Sequence, residues 1–443
     1  MSVFANAVSA VQAWPMVPFE KVAIAQSDRG QRLKQRDYLA EGAIPVIDQG
    51  QALVGGYTDD EGAAFVGDLP VVLFGDHTRA VKLIHHRFAV GADGIKIFRP
   101  AEGVRAKYLY YWMKSARIPD RGYGRHYQYL RALSVPLPPA EQQDEIVAEI
   151  EKQFSRLDEA VANLKRVKAN LKRYKASVLK DAVEGRLVPT EAELARREGR
   201  SFETGEQLLQ RVLVDRRKHW AGRGQYKDPY PIAHQNLSPL PDGWTWISVD
   251  ALAFVTKLAG FEYTKFVKYD DNGDLAVIKA ENAGSEGFRR TAFSKVKSEA
   301  VSLLTRSRLI AGDLLMVFVG AGTGKVACVP DDQPYFLGPN ISMIRVDQSH
   351  AFPQYVEHYL RSPQGYTLAL SFTKAVAQPS LSMGTIRCIP IALPPCSEQE
   401  RIASEVDRRM SLVRSVEAEV DANLKRAQAL RQSTLAKSFL RGN

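Results

Sequence analysis

The chain is written twice. Leu137-Pro138-Pro139 returns as Leu393-Pro394-Pro395, and the same shift of about 256 residues, held without gaps, pairs Gln143 with Gln399, Ile146 with Ile402, Glu149 with Glu405, Ser155 with Ser411, Ser177 with Ser433 and Leu179 with Leu435. Conservative pairs fill the intervals: Asp144 meets Glu400, Ile150 meets Val406, Glu151 meets Asp407, Lys152 meets Arg408 and Phe154 meets Met410. So long a period excludes a solenoid of short repeats and leaves a duplicated domain with its appended segment.

The repeated segment has a helical rhythm. Ile146, Ile150, Phe154, Leu157, Val161, Leu164, Leu171, Val178 and Ala182 recur at steps of three and four with charges between, a heptad-like spacing. Ile402, Val406, Met410, Val413, Val416, Val420, Ala427, Leu430 and Thr434 repeat it. Pro138-Pro139 and Pro394-Pro395 can precede a helix but not lie inside one, and Glu141, Asp144, Glu145, Glu398 and Glu400 put acids in the first turns. Gly185 and Val188-Pro189 stop the first helix, whereas Gly442 falls almost at the last residue. A surface helix on a globular domain is the plain alternative. Roughly forty residues at 1.5 Å each span about 60 Å, beyond the helix of a compact domain. Two such helices packed antiparallel would put the globular segments preceding them at opposite ends of a rod, related by a pseudo-two-fold axis.

At 443 residues with 45% apolar and 25% charged composition, the chain exceeds one hydrophobic core and carries no disordered tract. Sixty Lys plus Arg against fifty Asp plus Glu, a formal charge of +10, suit a polyanionic partner without selecting one. Cys328, Cys388 and Cys396 lack paired metal-ligand spacing and cannot all pair within the chain, which suits a reducing cytoplasm. The first residues lack the basic start and unbroken apolar run of a signal peptide, and no run of about eighteen apolar residues marks a transmembrane helix. Glu191 to Pro241 reads as polar linker, within which Leu208, Leu209, Val212 and Leu213 place a short docking helix over Glu206 to Trp220.

The first globular unit, about Met1 to Pro136, reads as short strands (Pro45-Val46-Ile47, Val71-Val72-Leu73-Phe74, Gly94-Ile95-Lys96-Ile97-Phe98) with a helix near Ala106 to Met113. The second, about Leu240 to Leu393, repeats the style in Ala276-Val277-Ile278, Asp313 to Val317 and Ile341 to Ile344, with a helix near Gln354 to Arg361. Gly320-Ala321-Gly322-Thr323-Gly324-Lys325 resembles a phosphate cradle, but Val326 stands where a P-loop needs Ser or Thr. A tight hairpin showing Lys325 to a DNA phosphate and a purely structural turn both fit it. Gly75-Asp76-His77-Thr78-Arg79 is either a plain surface hairpin or one whose Thr78 and Arg79 reach a base edge or phosphate. Arg121 to Tyr129 interleaves the donors Arg121, Arg125, His126 and Gln128 with the rings Tyr123 and Tyr127, which fits DNA contact or an aromatic packing seam. Thr373, Lys374, Gln378 and Ser380 offer donors at the same place before the second helix.

His85-His86 lacks further metal ligands nearby and reads as packing. No serine-nucleophile elbow, zinc-protease pair, dinucleotide fingerprint or Asn-Pro-Pro-aromatic motif occurs.

The order of globular unit, Leu137-Pro138-Pro139 with Glu141-Gln142, the helix through Ser177-Val178-Leu179 to Glu184-Gly185-Arg186-Leu187-Val188-Pro189, linker, Leu240-Pro241-Asp242-Gly243-Trp244 and Leu393-Pro394-Pro395 with Glu398-Gln399 resembles the specificity subunits of type I restriction-modification systems. Phe439-Leu440-Arg441-Gly442 departs from the fuller helix stop. The resemblance implies an α+β chain of two mixed α/β target-recognition domains (1–138 and 240–394) and two long antiparallel coiled-coil helices (139–187 and 395–443), with 188–239 as linker. It further implies a chain without catalytic site, metal or cofactor that reads an asymmetric bipartite target in double-stranded DNA. Two modification subunits with S-adenosylmethionine would methylate adenine, and restriction subunits would use ATP. A coiled-coil scaffold whose heads bind protein and an enzyme with an unrecognised nuclease centre are the competing readings.

Overall fold

The computed structural model describes residues 14–91, 94–122, 124–220, 224–232, 237–371 and 379–440. By internal contact it divides into two units, one of residues up to Val167 with those from Glu419 onward, the other Lys168–Ala418. Each is a mixed α/β body of short strands, as the sequence predicts.

In the first unit a four-stranded antiparallel sheet runs in the order Ala23–Gln26, Ile95–Pro100, Val71–Gly75, Val81–Ile84. Every residue of Val71–Gly75 is buried, the mark of a strand covered on both faces. The helix Ala106–Ser115 covers one face, setting Tyr108, Leu109, Trp112 and Met113 against Phe19, Val72, Phe74 and Phe98. A smaller sheet places Ile44–Ile47 between Gly56–Thr58, antiparallel, and Ala89–Val90, parallel. Met16–Pro18 pairs with Ser134–Pro136.

The second unit follows the same plan with three further strands, Arg308–Leu309 at the edge of its smaller sheet and the hairpin of Ala283–Gly284 with Gly287–Phe288. Its four-stranded sheet runs Ala253–Lys257, Ile341–Val346, Leu314–Val317, Val326–Cys328. Leu275–Ile278 lies between antiparallel Ser294–Val296 and parallel Tyr335–Leu337. Thr245–Ser248 pairs with Pro390–Leu393, and the helix Pro353–Arg361 takes the place of Ala106–Ser115.

The long helices are Ala140–Val183 and Cys396–Ser438. Gly185, at φ +68°, takes the left-handed turn after the first, where a side chain would be strained. In the first unit, Leu435 and Phe439 from the end of the second helix enter the core of Val147, Ile150 and Phe154 from the start of the first. Within the second unit, Ile402, Ala403, Val406 and Met410 share a core with Val178, Leu179, Ala182 and Val183. Arg431 pairs with Asp158 at 2.6 Å and lies 4.3 Å over the Phe154 ring. Lys175 bridges Glu286 at 2.8 Å and Glu417 at 2.9 Å. The heptad count overreaches in places: Val416 and Leu430 are exposed and Val161, Leu164 and Leu171 only half-buried.

The repeated Leu-Pro-Pro…Gln has a structural cause. Gln143 is buried, its amide N–H donating to the Pro138 carbonyl (2.9 Å) while its Oε1 accepts from the Arg105 N–H (2.8 Å). Gln399 does the same with Pro394 (2.9 Å) and the Phe352 N–H (3.1 Å). Arg105 and Phe352 are the N-caps of the two short helices. Neither carries a capping side chain, and the glutamine supplies the missing acceptor. Tyr108 and Tyr355, three positions further on, donate their hydroxyls to the carbonyls of Pro136 and Ala392. Burial pushes both phenols above their usual range.

The segment read as linker holds more structure than expected. Besides the anticipated helix, found at Gly205–Lys218, Glu191–Glu198 is helical, started by a reciprocal capping box of Thr190 and Glu193. Leu208 and Val212 are buried in the second unit's core, and Ala192 and Ala195 are buried as well. Among the described residues, no helix is long and apolar enough to cross a membrane.

Candidate nucleic-acid interface

In the first unit the two segments singled out from sequence meet. Val71–Gly75 and Val81–Ile84 form a hairpin, and the buried Asp76 at its tip accepts three hydrogen bonds from one loop. Its carbonyl takes the His126 N–H (2.8 Å) and ring Nδ1–H (2.9 Å), and its Oδ1 takes the Tyr127 N–H (2.7 Å). His126 is fully buried, with Nε2 accepting from the Arg121 N–H at 3.4 Å. This partner set fixes the proton on Nδ1. His126, expected to reach a base, instead holds the loop to the hairpin, since both ring nitrogens are engaged inside the protein.

Thr78 is likewise turned inward, donating to the Gln49 carbonyl. Arg79, at φ +58°, donates to Asp120 at 2.7 Å. Arg79 and the Gly122 N–H hold the exposed Asp120 carboxyl below its usual range, the N–H contributing most. Tyr127 is half-buried, its ring centroid 5.7 Å from that of Phe98 and 5.5 Å from the Lys96 ammonium. The packing-seam reading therefore holds for this ring. Arg121, Arg125 and Gln128 remain exposed, so the solvent side of the patch is cationic and rich in donors. Tyr123 lies outside the described residues.

The second unit builds a matching pair by other means. Gly320 to Lys325 turns between Leu314–Val317 and Val326–Cys328. A strand rather than a helix follows Lys325, so no helix N-terminus is available for a nucleotide phosphate. Gly324, at φ +83°, also lies where a Cβ would come within 3.0 Å of the Tyr366 ring. The segment before the second long helix docks on this tip: the Leu381 N–H donates to the Phe318 carbonyl (2.8 Å), Val319 bridges Ser380, and the Thr323 hydroxyl lies 2.9 Å from the Pro379 carbonyl. Half-buried Lys325 and exposed Ser380 thus belong to one surface. Thr373, Lys374 and Gln378 lie outside the described residues.

Sequence reasoning missed the helix Gly260–Phe266, which follows the edge strand Ala253–Lys257. Lys257 stands 5.0 Å from the Phe318 ring at the base of the same hairpin tip. Lys257, Phe261 and Lys265 are spaced by four in the sequence, a pattern that the search for apolar stripes passed over. His85 and His86 are exposed beyond Val81–Ile84 rather than packed.

Comparison with known proteins places these features. Residues 241–420 match the family model of the type I restriction modification DNA specificity domain. The chain is 24% identical over 306 residues to the type I restriction enzyme EcoBI specificity subunit of Escherichia coli, a match covering 69% of this chain and 57% of that protein. It is 31% identical over 90 residues to the EcoKI specificity subunit of Escherichia coli strain K12, covering 20% of this chain and 19% of that one. The chain thus spans under two thirds of the length of the curated relatives it matches. A solved chain described under the structural basis of complex assembly and conformational transition of the type I R-M system superposes with a TM-score of 0.57 at 15% identity, over 96% of this chain and 97% of that one. Residues 241–420 thus resemble a type I DNA specificity domain, and 69% of the chain is similar to a specificity subunit of a type I restriction-modification system.

Proposed function

We propose that this chain is the target reader of a type I restriction-modification complex, with each unit's hairpin-and-loop surface reading one half of a split, asymmetric sequence in double-stranded DNA. The observation that carries the reading is the recurrence, on two sheets of the same strand order, of a hairpin tip fastened to the segment that precedes a long helix. Donors and cations stand on the solvent side of each tip: Arg121, Arg125 and Gln128 in one unit, Lys325 and Ser380 in the other. Arginines and lysines set register on phosphate, while Arg and Gln discriminate base edges at about 1–3 kcal/mol for each bidentate pair. In this reading the long helices act as the spacer between half-sites.

The chain needs no cofactor of its own in this reading. Two modification subunits bring S-adenosylmethionine and methylate adenine at N6, and restriction subunits that translocate on ATP complete the assembly.

Co-expression with a modification subunit, followed by genome-wide mapping of N6-methyladenine by single-molecule sequencing, tests this. A split motif with one modified adenine on each strand and a fixed gap is expected. A continuous motif would leave a reader but remove the spacer. No motif, with the complex shown to form, would overturn the reading.

A further inference from the structure

We infer that the short helix Gly260–Phe266 is a second DNA-contacting element of the second unit, with Phe261 as an apolar wedge at a base step and Lys265 and Lys268 on the flanking phosphates. The inference deepens the proposed function and rests on it.

Phe261 is 72% exposed. Single exposed apolar side chains are ordinary on protein surfaces, and exposure alone would carry nothing. What distinguishes Phe261 is the face it shares. Thr264 and Lys265 follow at three and four residues and are exposed, so one helix face carries an aromatic ring, a hydroxyl and an ammonium group, and the exposed Lys268 lies two residues beyond the helix end. The opposite side is fastened down. Glu262 is buried, caps the Ala259 N–H at 2.9 Å and pairs with Arg306 at 2.5 Å. Arg306 also donates to the Thr256 hydroxyl at 2.9 Å. The Arg306 guanidinium holds the Glu262 carboxyl below its usual range, so the brace is an ion pair. A helix locked on one side presents its other face in a fixed pose, which is what reading DNA requires.

Position gives the second argument. The helix leaves the strand that ends at Lys257, whose ammonium lies over the Phe318 ring at the root of the hairpin tip. Phe318 in turn holds Leu381 beside Ser380. The strand that leads into the helix, the hairpin tip and the segment before the second long helix are therefore joined by direct contacts within one unit. The lysines decide the occupant: an aromatic ring beside ammonium groups matches a polyanion whose base steps can be opened, and stacking tolerates any base.

The test uses the full chain assembled with its modification subunits and a duplex carrying the motif read from the methylation map. 2-Aminopurine is placed in turn at each position of the second unit's half-site. With the unmodified chain, one position other than the methylated adenine should brighten on binding as its base unstacks. Phe261→Ala should abolish that signal and weaken motif binding by about tenfold, leave affinity for a scrambled duplex within about twofold, and keep the melting temperature. Phe261→Trp should retain the signal. Lys265→Gln and Lys268→Gln should each lower the slope of log K against log salt by about one. Equal fluorescence and affinity for Phe261→Ala and the unmodified chain would overturn the wedge while leaving the reader intact. Failure of the unmodified complex to prefer its motif would overturn the proposed function, and the wedge with it.

Discussion

Where each unit hands over to its long helix, the two use one main-chain device in different surroundings. Gln143 and Gln399 make the same pair of bonds. One residue earlier the units diverge: Trp14 donates its indole N–H to Gln142, an exposed neutral amide, at 3.0 Å, whereas Trp244 donates to Glu398, a buried acid, at 2.9 Å. Glu398 also takes the N–H of Glu191 at 2.8 Å, a donor supplied by the capped helix Glu191–Glu198. Further along, Tyr111 reaches Glu151 at 3.4 Å in the first unit, and His358 meets Asp407 at 3.0 Å in the second. Bonds to the backbone persist, because any side chains can hang from them. Bonds between side chains drift: the tryptophan keeps its place while its acceptor changes from amide to acid, and Tyr111 with Glu151 gives way to His358 with Asp407.

The strongest way to break this comparison is to remove the shared device. Gln399→Leu leaves a buried N–H and a buried carbonyl without partners and should cost about 3 kcal/mol. Gln143→Leu should cost the same to within about 1 kcal/mol. Denaturant titration of each variant checks both, and a silent substitution at either site would end the equivalence.

Next comes the acid that only one unit has. Burial, against the N–H donors of Glu191 and Trp244 and the nearby Arg401, pushes the Glu398 carboxyl up to about 7 from an ordinary 4.5. The folded chain therefore keeps a proton that the unfolded chain gives up. Its contribution is fully present below about pH 4.5 and is lost as pH rises through about 7. The decline should be on the order of 2–3 kcal/mol, and Glu398→Gln should flatten that part of the profile whatever it does to absolute stability. Unfolding midpoints followed from pH 4.5 to 8 read it directly. An unchanged slope would mean the carboxyl is ionised in the fold.

The smallest effects belong to the cations between the long helices. Burial disfavours the Lys175 ammonium, but Glu286 and Glu417 outweigh it and raise its titration. Lys175→Met should cost about 1–2 kcal/mol, partly through the carboxylates left behind. Arg431→Met, removing an exposed pair and a ring contact, should cost about 1 kcal/mol or less and should matter less at high salt.

The duplication, the helix starts at paired prolines and the stop at Gly185 were legible in the sequence because each rests on local chemistry that repeats. What Gln143 does was not, since its acceptor role lies at Arg105, across the unit's core. The Glu191–Glu198 helix was announced by Thr190 and Glu193 at capping-box spacing, but the polar composition around it masked the signal. His126 was misplaced for a related reason. In sequence, a histidine among arginines and tyrosines looks like a base reader, and only the fold reveals Asp76 waiting for both its N–H groups. Phe261 shows the converse: an aromatic counts as core until the structure leaves it in solvent.

One consequence concerns time rather than energy. The second unit is a continuous stretch, Lys168–Ala418, while the first needs Leu435 and Phe439 to close the core around Val147 and Phe154. A ribosome adding about 5–20 residues per second finishes the contiguous unit while the earlier one still lacks its last wall. For on the order of tens of seconds the first unit must wait with an apolar seam open. Of the two, the part made first is the part completed last, and holdase chaperones should be found on it.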